Sequence, residues 1–139
     1  MTFTLRRALL VFLIGVAITL GLWAYFAPES WYTTFPGFGH QWLPPLGPYN
    51  EHLVKDVGSW FLALTVLSAV ALTAAANDAV IRLTAATWLT FNIFHLVYHI
   101  QMLHMYQPVD QVLNMIALGL LTLVSAALLI PVRTRETAS

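Results

Sequence analysis

The sequence predicts an all-α integral membrane protein, a single four-helix bundle with both termini in the cytoplasm. Three observations predict it. Hydrophobic residues make up 59% of the 139-residue chain, and mean hydropathy is +0.75. Charged residues make up only 9%, against about 25% in soluble domains. The apolar residues also fall into four runs, each close to the ~20 residues a helix needs to cross the hydrocarbon core.

The same composition excludes other classes. Six Lys and Arg balance six Asp and Glu, so no basic surplus exists to hold nucleic acid. With no cysteine, disulfides, thiolate zinc sites and iron–sulfur clusters are excluded.

The first span is expected at 8–26, between Arg6-Arg7 and Pro28. A basic pair before an apolar run has the look of a signal peptide. The run exceeds the ~7–15 residues of a signal h-region, and Ala24-Tyr25-Phe26-Ala27 is a poor cleavage site, so a retained helix is expected. A loop at 27–51 follows. It holds five of the seven prolines and three of the seven glycines, with Trp31, Tyr32, Phe35, Phe38, Trp42 and Tyr49. Proline fixes φ and removes a donor, which predicts neither a long helix nor a strand. Two readings stand side by side. The aromatic rings anchor the loop at the membrane interface, or the loop is a lid over a site.

The second span is expected at 52–76, with Asn50 a suitable N-cap and Glu51 a favourable charge at a helix start. The third is expected at 81–103. The fourth is expected at 109–130, stopped by Pro131. Arg6, Arg7, Arg82, Arg133 and Arg135 then fall at one end of the bundle, and Lys55 alone at the other. The positive-inside rule puts the arginine end in the cytoplasm and the 27–51 loop outside.

The polar residues converge on the outer end. All five histidines lie there, with Glu51, Asp56 and Asp110. His52 and Asp56 are four apart and share a helix face, as do His95 and His99, with Asn92 one turn below His95. Ionisable groups at membrane depth are costly and usually face the bundle interior. If the two faces meet, three imidazoles and a carboxylate reach one centre. Such a donor set suits zinc, iron, copper or manganese. The expected metal ligands are therefore His52, Asp56, His95 and His99. Glu51, Lys55, Asn92, His104 and Asn114 are the surrounding groups that would orient ligands or move protons.

Plainer readings accompany each of these. His95 bonds a backbone carbonyl and His99 pairs with Glu51 or Asp56, or the histidines contact haem or a quinone. Lys55 neutralises Glu51 or Asp56, or holds an anionic group of a substrate. His104 with Met102 and Met105 offers copper-type donors at loose spacing. Trp60 and Trp88 read as packing, and the threonines of the spans as helix–helix contacts.

The segments YFAPESWY (25–32), NEHLVKDVGSWFLAL (50–64) and FNIFHLVYHIQMLH (91–104), in this order and topology, resemble the DoxX-like group of small four-span bacterial membrane proteins, in an actinobacterial branch. The resemblance covers most of the chain and rests on topology and short motifs. It implies a four-helix bundle in the bacterial cytoplasmic membrane and an association with quinone-linked oxidoreductases. It transfers no functional residue.

Two functions follow as expectations. The first is a transition-metal site acting on a lipid-soluble substrate, by oxidation for a redox metal or hydrolysis for zinc. The alternative is a non-catalytic accessory or quinone-binding subunit of a membrane oxidoreductase. A transporter is disfavoured, because no broken helix or inverted repeat is present. The lateral surface leaves room for a homodimer or a larger membrane complex.

Overall fold

The computed structural model describes residues 1–132; Arg133 and Arg135 lie outside the described residues. Four long helices carry the fold: α1 (Phe3–Phe26), α3 (Glu51–Thr73), α4 (Asp78–Gln101) and α5 (Pro108–Ala127), with a short α2 (Pro28–Thr34). Each long helix has the length and hydropathy to cross a membrane, and the chain is a multi-pass membrane protein. Their outward faces carry Val66, Leu83, Phe94, Ile116 and Leu123, all exposed. An apolar exterior of this extent needs lipid rather than water around it.

Local chemistry sets the helix limits, and all four spans begin earlier than the apolar runs suggest, α1 and α4 by the most. Thr2 Oγ1 accepts from Leu5 N at 3.2 Å, so α1 starts before its two arginines rather than after them. Asn77 Oδ1 accepts from Ala79 N and Val80 N and starts α4 at Asp78. Asn50 caps α3 as its residue type predicts, accepting from Leu53 N at 3.2 Å. Pro108 occupies the first turn of α5, where its missing N–H is no loss.

The helices pack as two pairs. α1 lies along α3, and α4 lies along α5, while α3 meets α4 over a narrower band. Glycine allows the first pairing. A Cβ on Gly58 would stand 2.7 Å from the backbone N of Tyr25, and one on Gly21 would stand 3.0 Å from the backbone N of Leu62. Small residues at such contacts let helix backbones approach within a membrane. The second and third spans do face each other. Trp88 Nε1 donates to Ser68 Oγ at 2.9 Å, and Phe61 meets both Trp88 and Phe91.

One apolar core, including Leu10, Leu13, Leu64, Ile81, Trp88 and Leu128, fills the half of the bundle near the termini. Arg6 closes that end. It is 2% exposed, forms an ion pair with Asp78 at 2.7 Å and donates to the Ala75 carbonyl at 2.9 Å. The sequence assigns Arg6 an orienting charge; the structure gives it a packed one as well.

The 27–51 loop holds no long helix, as its prolines predict, but it does form a short strand pair that they do not. It holds α2, a two-stranded antiparallel hairpin (β1 Pro36–Gly37, β2 His40–Gln41) and a 3₁₀ turn at Pro44–Leu46. Gly37, Phe38 and Gly39 all have positive φ at the hairpin turn, which favours glycine at two of the three places. Trp31 and Trp42 are buried, and Trp31 joins Ala24, Val54 and Phe35 in a second cluster. These two rings therefore pack against the helix ends instead of standing in an interfacial belt. Tyr32 Oη donates to the Gly47 carbonyl at 2.6 Å and ties the loop to itself.

The threonine hydroxyls bond within their own helices. Thr65, Thr84, Thr87 and Thr122 donate to carbonyls four residues back in their own helices. Ser68 and Ser125 make the cross-helix bonds instead.

Candidate functional site

The predicted site residues sort into two pairs at the loop end of the bundle. His52 and Asp56 share a face of α3, with Nε2 and Oδ2 3.4 Å apart, and both are strongly exposed. Glu51 and Lys55 form a neighbouring exposed ion pair at 2.7 Å. Lys55 thus neutralises Glu51, as the plainer reading has it. His95 and His99 share a face of α4, with ring centroids 4.6 Å apart. The four expected ligands are not gathered into one centre. Among the described residues no group of three His, Asp or Glu is placed to hold a metal. The reason is rotational: the His52 face of α3 turns outward, while the residues that meet α4 are Phe61 and Ser68. His104 is exposed in the turn after α4.

Around His95 and His99 a different site appears. His99 is 5% exposed. Its Nδ1 lies 3.2 Å from the hydroxyl of Tyr106, and the two rings lie nearly parallel. His99 therefore pairs with Tyr106 rather than with Glu51 or Asp56. His95 stacks on Phe91 at 5.2 Å with an interplanar angle of 17°. Burial holds the Tyr106 phenol up at about 12, with Tyr98 and Asp110 adding in the same direction. A phenol held neutral in this way both donates and accepts.

Helical register adds Asn114 to this group. Asn92 Nδ2 donates to Ser125 Oγ at 2.9 Å and to the Leu121 carbonyl at 3.3 Å. Two turns toward the loop end, α4 presents His99. Two turns from Leu121 in the same direction, α5 presents Asn114. Asn114 is wholly buried beside Tyr106, close enough for a weak interaction that eases ionisation of the phenol, but neither its amide nitrogen nor its oxygen makes a well-formed hydrogen bond. An amide left so costs about 1–3 kcal/mol. The apolar core thus gives way, between α4 and α5, to a polar interior of Asn92, His99, Tyr106 and Asn114.

His95 also faces a groove. An open cavity of about 670 Å³ runs between α3 and α4, lined chiefly by Trp60, Thr90, Phe91, Phe94, His95 and Tyr98. Trp60 is 43% exposed. It is a wall of this groove and touches Phe91 at a centroid distance of 6.0 Å, so it differs from Trp88, which is packed as expected. Aromatic walls with a few polar groups, His95 and the hydroxyls of Thr90 and Tyr98 among them, suit a planar, lipid-soluble guest.

A third feature escapes a sequence reading altogether. Asp110 at the start of α5 accepts from Trp42 Nε1 at 2.9 Å and lies 2.6 Å from His40 Nδ1. The 27–51 loop is thereby tied to α5 across the loop end. Nothing in the spacing signals this, because the partners lie about seventy residues apart. Tyr106 is equally unannounced, although an aromatic hydroxyl in the turn seven residues after His99 is a fair signal of it.

Comparisons of the chain with protein-family models, with curated proteins and with solved structures find no match.

Proposed function

We propose that this protein binds a lipid-soluble molecule of the quinone class in the α3–α4 groove, as an accessory subunit of a membrane oxidoreductase. One observation carries the reading: His95 stands in the wall of an aromatic groove at membrane depth, with His99 and Tyr106 behind it. A ring carbonyl would accept from His95, and the ring would lie against Phe91, Phe94 or Trp60. The apolar tail would run out into lipid. The DoxX-like resemblance and its link to quinone chemistry point the same way. In the bacterial cytoplasmic membrane, the arginines at the termini end put the loop end outside.

Protein in lipid nanodiscs, titrated with a short-tailed ubiquinone and a short-tailed menaquinone, tests this by quenching of tryptophan fluorescence. Saturable binding is expected, weakened about tenfold or more by His95→Ala. Trp60→Ala should weaken it and remove much of the quenching. Non-saturable quenching, unchanged in both variants, would overturn the reading.

The adjacent imidazoles of His95 and His99 keep a metal-binding reading in play, with iron, copper, zinc or manganese as the ion. Near-stoichiometric metal in purified protein, lost in the His95→Ala/His99→Ala double variant, would favour it over the quinone reading. A Soret band would indicate haem.

A further inference from the structure

The polar groups behind the groove form a line rather than a cluster. His95 lines the groove, and its ring lies 4.6 Å from that of His99. His99 Nδ1 meets the Tyr106 hydroxyl at 3.2 Å. Tyr106 lies in the turn between α4 and α5, near enough to feel the Asp110 charge. Asp110 in turn holds His40, whose side chain is 30% exposed at the loop end. These groups step from the groove toward the loop end, with a charge interaction rather than a hydrogen bond between Tyr106 and Asp110.

We infer that His95, His99 and Tyr106 are a proton relay joining the groove to the aqueous phase at the loop end. Asn114 supports it. A wholly buried amide that reaches the phenol but makes no well-formed hydrogen bond of its own is a holder for a bridging water. Packing alone would be served better by leucine at that place.

The transfer balances without any electron. Water at the loop end gives a proton to the Tyr106 oxygen as the phenolic proton passes to Nδ1 of His99. His99 releases a proton from its other nitrogen to His95 across one water. His95 passes a proton to the oxygen of the guest in the groove. One proton enters, one leaves, and each side chain ends with the charge it began with. The reverse order returns a proton from the guest to water. The groups facing the path are Tyr98 on α4, Asp110 on α5 and His40 on the loop.

The purpose of the relay rests on the groove ligand proposed above. Its existence is tested in the ligand-free protein, so either idea can fail alone. The measurement is exchange of the His95 ring N–H with water, by nuclear magnetic resonance of histidine-¹⁵N-labelled protein in lipid nanodiscs. A His95→Gln variant assigns the signal. Tyr106→Phe keeps the ring and removes only the hydroxyl, and should slow exchange about tenfold or more. His99→Gln should slow it likewise. Leu123→Ala, on the outer face of α5 away from the groove and the relay, should not slow it. Exchange in Tyr106→Phe equal to the unmodified protein would overturn the relay, because water would then reach His95 through the groove.

Discussion

Tyr106 closes the turn between α4 and α5 with its ring 5% exposed. Burial holds its phenol up at about 12, from an ordinary value of 10. The folded protein therefore keeps this proton to higher pH than the unfolded chain does. The associated stability is fully present below pH 10 and is lost as pH rises from 10 to about 12. Ultraviolet titration of the phenolate band should show one tyrosine ionising last. Tyr106→Phe should remove that final step and leave the earlier ones. A titration that loses an earlier step instead would contradict this placement of the ring. The residue scale also shows why His95 and His99 were readable and their partner was not. Two imidazoles four apart in an apolar run are visible in any sequence. The hydroxyl that meets His99 sits in an irregular turn, where no periodicity marks which way it points.

Among the elements, the α1–α3 pair is held by shape. Gly58 puts its bare Cα against the backbone of Tyr25, and a backbone atom cannot yield as a side-chain tip does. Gly58→Ala should cost about 1–3 kcal/mol by forcing the helices apart. Gly119→Ala, where nothing lies within 4 Å of the added carbon, should be neutral or slightly stabilising. Thermal melts of both variants in one detergent compare them directly. Equal melting temperatures would show that the close approach is relieved elsewhere. The four spans were legible because each is an apolar run of crossing length. Their starts were not, since Thr2 and Asn77 act through hydrogen bonds that hydropathy ignores. Rotation about each helix axis was the costliest omission. It decides that the His52–Asp56 face turns outward, and a hydrophobic exterior hides the contrast that marks the buried face of a soluble helix.

Taken whole, the molecule has an apolar half near its termini and a polar, capped half at the other end. The cap is the 27–51 segment, and its proline content foretold irregularity without foretelling that Trp31 and Trp42 turn inward. Asp110 holds it through two bonds, to His40 and Trp42. Asp110→Ala leaves the buried indole N–H unpaired and should cost about 2–4 kcal/mol. The loss should be local. Hydrogen–deuterium exchange of the segment around residues 36–47 should quicken severalfold, with the helix centres unchanged. Uniform quickening across all helices would mean that the cap belongs to the cooperative core. A sequence reading could place His40 and Asp110 at the same end, because both lie on that side of the spans. Their contact depends on the path of an aperiodic loop.

The narrow seam between α3 and α4 gives the bundle the mechanics of a clip. Near the termini, Arg6 on α1 grips Asp78 on α4, and Trp88 is fastened to Ser68. These two fastenings act as the pivot. One turn beyond Trp88 the jaws are Trp60 and Phe91, aromatic faces in contact without a hydrogen bond between them. The guest proposed for the groove would spread the jaws while the pivot and the two tight helix pairs stay closed. Guest thickness would then be read as an opening angle between the outer faces of α3 and α4.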